Sequence, residues 1–279
     1  MSSGFRDERK IYICRLQLVL VMGKIIDAHM HIFRNTKTKL MKQLKEGNIE
    51  KSLILDYYDK KDKDLGYERQ KLIEIIKTEP KLVLAASYDM VKNDEKELRF
   101  IDRNMKNNNY IALKLYPGYQ HVYPNERKCN RLYRLCLKHD VPVMFHSGSF
   151  GIQEGAILKY AQPIFIDDVA TRFPDLKIII CHLGNPFLEQ TMAVMEKNMN
   201  VYADLSGLVD DATDCSKHSK NRFESLIEYV GMERLIFGSD CDVTQENIID
   251  YIKFVRTLIP REYREDIFYN NAKKIFKLS

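Results

Sequence analysis

The chain has 279 residues, of which 45% are hydrophobic, so it is long enough to build one sizeable core. Its net charge of +5 comes from 44 basic and 39 acidic residues, and no long block of one sign interrupts the sequence. This balance argues against nucleic-acid binding, which needs a clustered basic face. The six cysteines include no Cys-x-x-Cys pair, so we expect a reducing, cytoplasmic location without structural disulfides.

Residues 11–22 form the stretch that comes nearest to a targeting segment. Arg15 and Gln17 interrupt its apolar run, which is too short to span a bilayer and has no small-residue cleavage pattern after it. We therefore expect no membrane partner. Residues 1–21 are predicted to be an N-terminal extension, either upstream of a true start at Met22 or an added strand that covers the bottom of the following domain.

Apolar runs alternate with amphipathic stretches through the rest of the chain. The predicted strands cover residues 23–31, 51–55, 82–86, 110–115, 141–145, 176–181, 201–204 and 234–237. The predicted helices cover residues 37–46, 67–78, 94–106, 125–139, 186–197, 222–230, 245–258 and 262–276.

Continuous apolar strands that alternate with helices predict a parallel sheet covered on its outer face. Eight such units predict an α/β protein with a (β/α)8 TIM barrel over residues 22–279, as a single domain. A doubly wound open sheet is the alternative. The Gly-x-Gly-x-x-Gly turn of that fold is missing after the first strand.

Polar side chains with metal-ligand chemistry lie at the ends of several predicted strands. His29 and His31 end the first strand, and their i, i+2 spacing places both imidazoles on one face. Later strands end in further candidates: Lys114, His146, His182 and Asp240. Because the carboxyl ends of barrel strands meet at one face, we expect these side chains to lie together.

Imidazole nitrogens and a carboxylate are suitable ligands for Zn²⁺ or a similar ion. With one position left open, the ion lowers the pKa of a bound water towards about 7, so that a metal-bound hydroxide can attack. Asp240 is predicted to face both the metal and this water and to serve as general base. His182 could be a ligand, or a proton shuttle and electrophile.

The motifs that carry these residues resemble those of the amidohydrolase superfamily, in particular its amidohydrolase-related branch of compact hydrolases and nonoxidative decarboxylases. The matching pieces are Asp27-Ala28-His29-Met30-His31, Lys114-Leu115-Tyr116-Pro117, His146-Ser147-Gly148, His182-Leu183-Gly184, Gly238-Ser239-Asp240 and Asn271-Ala272-Lys273-Lys274-Ile275-Phe276. The resemblance implies that the metal is held by His29, His31, His146 and Asp240, and that His182 is a further ligand or a catalytic histidine. We expect no accessory β-sandwich.

Lys114 determines how many metal ions are expected. In binuclear members of the superfamily, a lysine in a similar Lys-Leu-Tyr-Pro context is carboxylated and bridges two metals, which a lowered amine pKa beside cations would favour. The alternative is an unmodified cation that pairs with an acidic side chain or with a substrate carboxylate. The resemblance therefore implies one divalent ion, with zinc as the first candidate, or two ions if Lys114 is carboxylated.

Other polar residues near the strand ends have simpler interpretations. Asp27 could orient an imidazole through its second nitrogen, or lie on the opposite face of its strand. Asp204 and Asp242 are predicted to be solvated loop acids, and Cys181 to be a small hydrophobe inside a core strand. Three histidines are predicted at the surface: His121, His139 and His218.

The expected activity is that of a metal-dependent hydrolase that attacks an amide, ester or lactone carbonyl of a small molecule. The first alternative is a lyase, a nonoxidative decarboxylase or hydratase, that uses the same ligands on a carboxylated small molecule. The second is a barrel that keeps the fold but binds no metal. Fold alone does not choose among these. The expected partner is a small-molecule substrate, and a homo-oligomer is an option.

Overall fold

The computed structural model describes residues 23–33, 35–56, 67–149, 155–208, 216–241, 243 and 246–279. The extension predicted over residues 1–21 and the loop acid predicted at Asp242 lie outside these ranges. Within them, no helix combines the length and the apolar character needed to cross a membrane.

Eight parallel strands form one sheet, in which each strand pairs with the next along the chain. They are β1 (Ile25–Met30), β2 (Ile49–Leu55), β3 (Leu82–Ser87), β4 (Ala112–Leu115), β5 (Val143–Phe145), β6 (Ile178–Ile180), β7 (Val201–Asp204) and β8 (Leu235–Ile236). The backbone N–H of Ala28 donates to the carbonyl of Phe237, just after β8, over 2.9 Å. The two edges of the sheet therefore meet, and the predicted (β/α)8 barrel is confirmed.

Helices connect the strands on the outside of the barrel. The α-helices of the described residues are α1 (Lys37–Glu46), α2 (Arg69–Thr78), α3 (Glu95–Lys106), α4 (Pro117–Gln120), α5 (Asn130–His139), α6 (Ile164–Arg172), α7 (Leu188–Lys197), α8 (Ser216–Val230), α9 (Ile248–Leu258) and α10 (Asn271–Phe276). In α9, for example, Ile248, Ile252 and Val255 recur at helical spacing and are buried. This apolar stripe packs into the core between helices and sheet.

A second, smaller group of apolar side chains forms what we call the inner core. Its members are Ile26, Ala28, Leu53, Leu55, Ala85, Ala112, Met144, Ile179, Cys181, Ile236, Ala272, Ile275 and Phe276. Most come from the strands, where alternate residues point to opposite faces of the sheet. The last three come from α10, which contacts β1 and β8. The barrel is therefore a packed core and not a pore.

The largest differences from the sequence prediction lie in two regions, apart from the short helix α4, which was also not predicted. Helix α6 was not among the predicted helices, because the exposed Ile164 at its start interrupts the amphipathic pattern. The helix predicted over residues 262–276 is instead a 3₁₀ turn (Arg261–Tyr263), a π-helical turn (Asp266–Asn270) and then α10. Periodicity alone does not separate these closely related helical turns.

Candidate metal centre at the carboxyl ends of the strands

The structure brings the six predicted site residues to one end of the barrel. His29 lies within β1, and His31 follows it directly. Lys114 lies in β4, His146 directly follows β5, and His182 lies in the turn after β6. The sixth residue, Asp240, lies beyond the end of β8. The contacts described below connect all six side chains.

Asp240 and the two histidines of the first strand form one side of the centre. Asp240 Oδ1 lies 3.4 Å from His31 Nε2 and 3.6 Å from His29 Nε2. Zinc ligands at ordinary bond lengths in a tetrahedral site lie about 3.4 Å from one another. Asp240 Oδ1 is therefore spaced from each of the two imidazoles as a ligand of the same ion would be. Ligand atoms of His29, His182 and Asp240 also all lie within 4.8 Å of one another. The other carboxylate oxygen of Asp240, Oδ2, lies 3.8 Å from His182 Nδ1.

His146 and His182 form the opposite side. His182 Nε2 lies 3.1 Å from His146 Nδ1. His146 Nε2 lies 3.2 Å from the carbonyl oxygen of Ser149 and donates to it, so His146 Nδ1 carries a lone pair. Burial and the positive charges nearby lower the pKa of both imidazoles well below the ordinary value, which keeps them neutral. Neutral imidazoles are the form that binds a metal, and the donor set fits a divalent cation.

Lys114 is completely buried beneath this group. Its Nζ lies 2.9 Å from Cys181 Sγ, to which it donates, and 3.4 Å from His29 Nε2. The ring centroid of Tyr116 lies 5.4 Å from the same amine. Among the residues that the structure describes, Lys114 forms no ion pair with a carboxylate. Pairing with an acidic side chain, one of the alternatives for Lys114, is therefore absent among these residues. Cys181 belongs to the inner core but directly follows β6 instead of lying within the strand.

Asp204 corrects one sequence interpretation, because it is not a solvated loop acid. It is the last residue of β7 and is completely buried. Its carboxylate accepts hydrogen bonds from His29 Nδ1 (2.8 Å) and from the backbone N–H of His182 (2.9 Å). Burial alone would raise the pKa of Asp204, but the attraction of His29 and its hydrogen bond outweigh burial and hold the pKa far below the usual carboxyl value. Asp204 ends an apolar strand as the other site residues do, and that signal could have identified it.

Within the part of the chain that the structure describes, Asp27 accepts no hydrogen bond from an imidazole ring, so it does not have the orienting role considered for it from the sequence. Its Oδ1 accepts from the backbone N–H groups of His29 (3.1 Å) and Ser239 (3.0 Å), and its Oδ2 accepts from the Ser239 hydroxyl (2.6 Å). Burial raises the pKa of Asp27 to about 6, against the opposing effect of the Ser239 hydrogen bonds. Asp27 therefore joins β1 to the segment that carries Asp240, and the role of orienting an imidazole belongs to Asp204.

Three non-glycine residues in this region have a left-handed backbone conformation. His182, Leu183 and Asp240 have φ values of +58°, +51° and +53°. Side-chain-bearing residues adopt this left-handed conformation at a cost of about 1–2 kcal/mol each. The backbone N–H of Asp240 donates to the carbonyl of His29 over 2.7 Å, and that of His182 donates to Asp204. These hydrogen bonds hold the two strained residues at the centre.

A buried ion-pair network supports the neighbouring ends of β2 and β3. Asp56 directly follows β2, and its Oδ2 lies 2.6 Å from Arg69 Nε. Arg69 also contacts Glu97 at 2.6 Å and donates to the backbone and side-chain oxygens of Ser87. The hydroxyl of Tyr116 donates to the carbonyl of Asp56 over 3.2 Å. Burial raises the pKa of Asp56 to about 6, against the opposing charge of Arg69.

His121 and His139 lie outside these contacts. His121 is exposed, and His139 Nε2 lies 2.6 Å from Asp102, which pairs α5 with α3. His218 lies in α8, and its side chain is outside the described part of the structure.

Comparison with known proteins agrees with this architecture. A family model described as amidohydrolase matches residues 65–278. Among solved structures, the 5-carboxyvanillate decarboxylase of Sphingomonas paucimobilis has 11% sequence identity and a TM-score of 0.69, over 92% of this chain and 99% of its own. A probable 2-pyrone-4,6-dicarboxylic acid hydrolase from Acinetobacter baumannii has 16% identity and a TM-score of 0.68, over 91% and 99% of the two chains.

A third similar structure contains a metal. An amidohydrolase from Burkholderia multivorans with bound zinc has 13% identity and a TM-score of 0.67, over 92% of this chain and 100% of its own. At these identities the likeness shows a shared fold. No curated protein sequence matches this chain.

Proposed function

Since this chain belongs to the amidohydrolase family, we propose that it is a metal-dependent hydrolase that acts on an amide, ester or lactone carbonyl of a small molecule. The family and the barrel support an enzyme, and the residues at the strand ends support the choice of reaction.

The arrangement of Asp240 is the observation that carries the proposal. One oxygen of its carboxylate is spaced as a ligand beside His29 and His31, while the other is directed towards His182. About 30% of the side chain is exposed, so water and substrate reach it. Desolvation raises the pKa of Asp240 above its usual value, which makes the carboxylate a better proton acceptor.

A single divalent ion would be held by His29, His31 and Asp240, with His146 and His182 on its other side. Such an ion polarises a carbonyl and acidifies a water molecule. Zinc is our first choice and manganese the second, because both accept imidazole and carboxylate ligands. A second ion enters only if Lys114 is carboxylated.

The side chains then divide the proton transfers between them. Asp240 Oδ2 takes a proton from the attacking water, and the same atom returns it to the leaving group. If His182 is not itself a ligand, its Nδ1, 3.8 Å from that oxygen, stabilises the charge that develops on the substrate and carries the proton onward. This assignment agrees with the position of Asp240 at the exposed edge of the group.

Lys114 supports a second candidate function, that of a nonoxidative decarboxylase or hydratase. A completely buried cation without a carboxylate partner among the described residues could accept a substrate carboxylate. The decarboxylase named above has the same fold, which is compatible with this alternative.

The two functions are separated by what is released. Protein loaded with Zn²⁺ or Mn²⁺ would be incubated with panels of lactones, esters, amides and carboxylated aromatic or dienoic acids. Hydrolysis gives a carboxylate with an alcohol or amine, or a hydroxy acid from a lactone, without carbon dioxide, whereas carbon dioxide in proportion to turnover identifies the decarboxylase. Less than about half an equivalent of bound metal after loading would contradict both enzymatic functions.

The Asp240→Asn variant tests the assigned residue. We expect turnover to fall by about 100-fold or more, because general-base catalysis contributes 10²–10⁴-fold, while metal affinity falls only in part. The matched control is Asp250→Asn, which neutralises an exposed carboxylate on α9 and should leave turnover unchanged. Unchanged turnover in Asp240→Asn would contradict its role as base.

A further inference from the structure

Ser206 contacts both histidines that Asp204 holds. It is completely buried and lies two residues beyond the end of β7. Its Oγ lies 2.5 Å from Asp204 Oδ1, 2.8 Å from His182 Nδ1 and 3.1 Å from His29 Nδ1. The backbone N–H of Ser206 also donates to Asp204 Oδ1, over 3.1 Å. The hydroxyl therefore lies between one carboxylate and two imidazole nitrogens.

The Ser206 hydroxyl has a single proton, and this determines which atom donates in each of its hydrogen bonds. Asp204 Oδ1 already accepts the backbone N–H groups of His182 (2.9 Å) and Ser206 (3.1 Å), so this oxygen carries no proton, and the single hydroxyl proton of Ser206 is directed at it. The Ser206 oxygen then has only lone pairs to offer to His182 Nδ1. That nitrogen must carry the proton and donate it, which leaves the lone pair of His182 on Nε2.

The same reasoning applies to His29. Its Nδ1 donates to Asp204 Oδ2 over 2.8 Å, so its Nε2 presents a lone pair towards Asp240 and Lys114. For His29 the carboxylate itself fixes the tautomer. For His182 the carboxylate contacts only the backbone N–H, and Ser206 is the group that reaches the ring.

The backbone after Ser206 also confines the ring of His182. Gly207 has a φ of +66°, and a Cβ atom there would lie 3.3 Å from His182 Nδ1. The imidazole is therefore packed closely against the main chain. Its Nε2 faces His146 Nδ1, which carries a lone pair of its own, 3.1 Å away.

We propose that Ser206 is a positioning residue that fixes His182 as the Nδ1–H tautomer, so that the lone pairs of His182 Nε2 and His146 Nδ1 converge on one point. Two converging lone pairs repel each other across this short distance, and a shared cation removes the repulsion. This inference rests on the proposed function, because it explains how His146 and His182 are oriented to bind the metal ion of that function.

The tautomer can be measured directly in the metal-free protein. With ¹⁵N-labelled histidine rings at about pH 8, where ordinary imidazoles are neutral, two-bond ¹⁵N–¹H correlations distinguish Nδ1–H from Nε2–H. The signal of His182 is assigned by its loss in His182→Gln. We expect Nδ1–H in the wild type and in Ser206→Thr, which keeps the hydroxyl, and a shift towards Nε2–H in Ser206→Ala.

Metal affinity provides the second measurement. Competition for Zn²⁺ with a colour-forming chelator should show a loss of about 10–100-fold in Ser206→Ala, which is the usual effect of removing a group that orients a ligand. Ser206→Thr should stay close to the wild type. The matched control is Ser52→Ala, because Ser52 in β2 is also completely buried and its hydroxyl has no hydrogen-bond partner among the described residues.

Each outcome decides for or against the proposal. An Nε2–H tautomer in the wild type, or an unchanged Nδ1–H tautomer in Ser206→Ala, overturns it, even if metal affinity falls. If Ser206→Ala does not fold, the wild-type tautomer alone decides. Because the tautomer is measured without metal or substrate, an inactive enzyme with the expected tautomer would overturn the proposed function and leave this inference intact.

Discussion

Asp204 accepts hydrogen bonds from two different histidines, from the ring of His29 and from the backbone of His182. A carboxylate that accepts from one metal-ligating imidazole raises its basicity and fixes its orientation. Here one buried carboxylate serves two strands of the barrel. Its ionisation and its position are therefore both needed for the geometry of the proposed centre.

The Asp204→Asn variant tests this requirement. The amide keeps the shape of the side chain but directs an N–H₂ group at neighbours that are themselves donors, so at least one hydrogen bond is lost. We expect Zn²⁺ affinity to fall by about 10–100-fold and the free energy of unfolding to fall by about 1–3 kcal/mol. Both are measured against Asp175→Asn, an exposed carboxylate before β6. Equal values in the two variants would contradict the role of Asp204.

The raised pKa of Asp56 predicts how the free energy of unfolding depends on pH. Its pKa of about 6 lies above the ordinary value of 3.8, so the native protein keeps a proton between about pH 4 and 6 that the unfolded chain has released. The stability that this proton contributes is complete below about pH 4 and is lost as the pH rises through 6. The total loss is about 3 kcal/mol, at about 1.4 kcal/mol per pH unit.

Chemical denaturation of the wild type and of Asp56→Asn from pH 4 to 8 isolates this contribution. The free energy of unfolding of the wild type, minus that of the variant, should decrease up to about pH 6 and stay level above it. Subtracting the variant removes the contribution of the histidines, whose lowered pKa values act in the opposite direction. A difference that increases with pH would show that the ion pair with Arg69 outweighs burial.

At the level of elements, the turn after β5 is held tightly against the turn after β6. Gly148 has a φ of +90°, and its N–H donates to the carbonyl of Ala161 over 2.8 Å. A Cβ atom on Gly148 would lie 1.9 Å from the carbonyl oxygen of Asn185. Because both neighbours are main chain, no side-chain rotation relieves this overlap. The close approach sets the separation of His146 and His182, which begin these two turns.

We therefore expect Gly148→Ala to lower the free energy of unfolding by about 3 kcal/mol or more, from overpacking added to the left-handed conformation. Gly155→Ala is the matched control, since Gly155 has a φ of +80° but open space around its Cβ position. That variant should lose only about 1–2 kcal/mol. Denaturant unfolding measures both, and equal losses would contradict the close approach.

The sequence predicts the strands and most of the site residues at their ends, but not the contacts between distant strands. Apolar strands that end in His29, His146 or His182 identify both the barrel and the face on which these residues meet. Asp204 also ends an apolar strand, so its position could be predicted in the same way. Its hydrogen bond to His29 could not. Its partner His29 is 175 residues away in the sequence, and no local pattern reports that contact. The Ser206 hydroxyl was not predicted for the same reason, because only the closed barrel brings the end of β7 close to the ends of both β6 and β1.

For the whole molecule, the proposed centre joins side chains from β1, β4, β5, β6 and the end of β8. An ion bound there stabilises the native state and not the unfolded chain. At a free concentration 100 times the dissociation constant, the gain is about 2.7 kcal/mol, which corresponds to a rise in Tm of roughly 5–10 °C. Thermal denaturation with Zn²⁺, and again after addition of a chelator, measures this rise.

Two histidine variants show whether the rise comes from the centre. His31→Gln should abolish most of it, because that imidazole is spaced as a ligand beside Asp240. His139→Gln removes a histidine on the outer face and should keep it. A similar rise in Tm for both variants would place the ion elsewhere on the protein.

Helix α10 completes the inner core, which has a consequence for how the molecule assembles. Residues from both ends of the described chain, such as Ile26 and Ile275, belong to one apolar cluster. Pairing of neighbouring strands closes only short loops, whereas docking of α10 closes nearly the whole chain and must overcome the largest loop-closure entropy. We therefore expect the helix to dock late, together with the closure of β8 on β1, and to leave apolar surface at this end of the barrel exposed to other chains until then. Contacts of α10 that form after the transition state are expected to slow unfolding more than they accelerate folding.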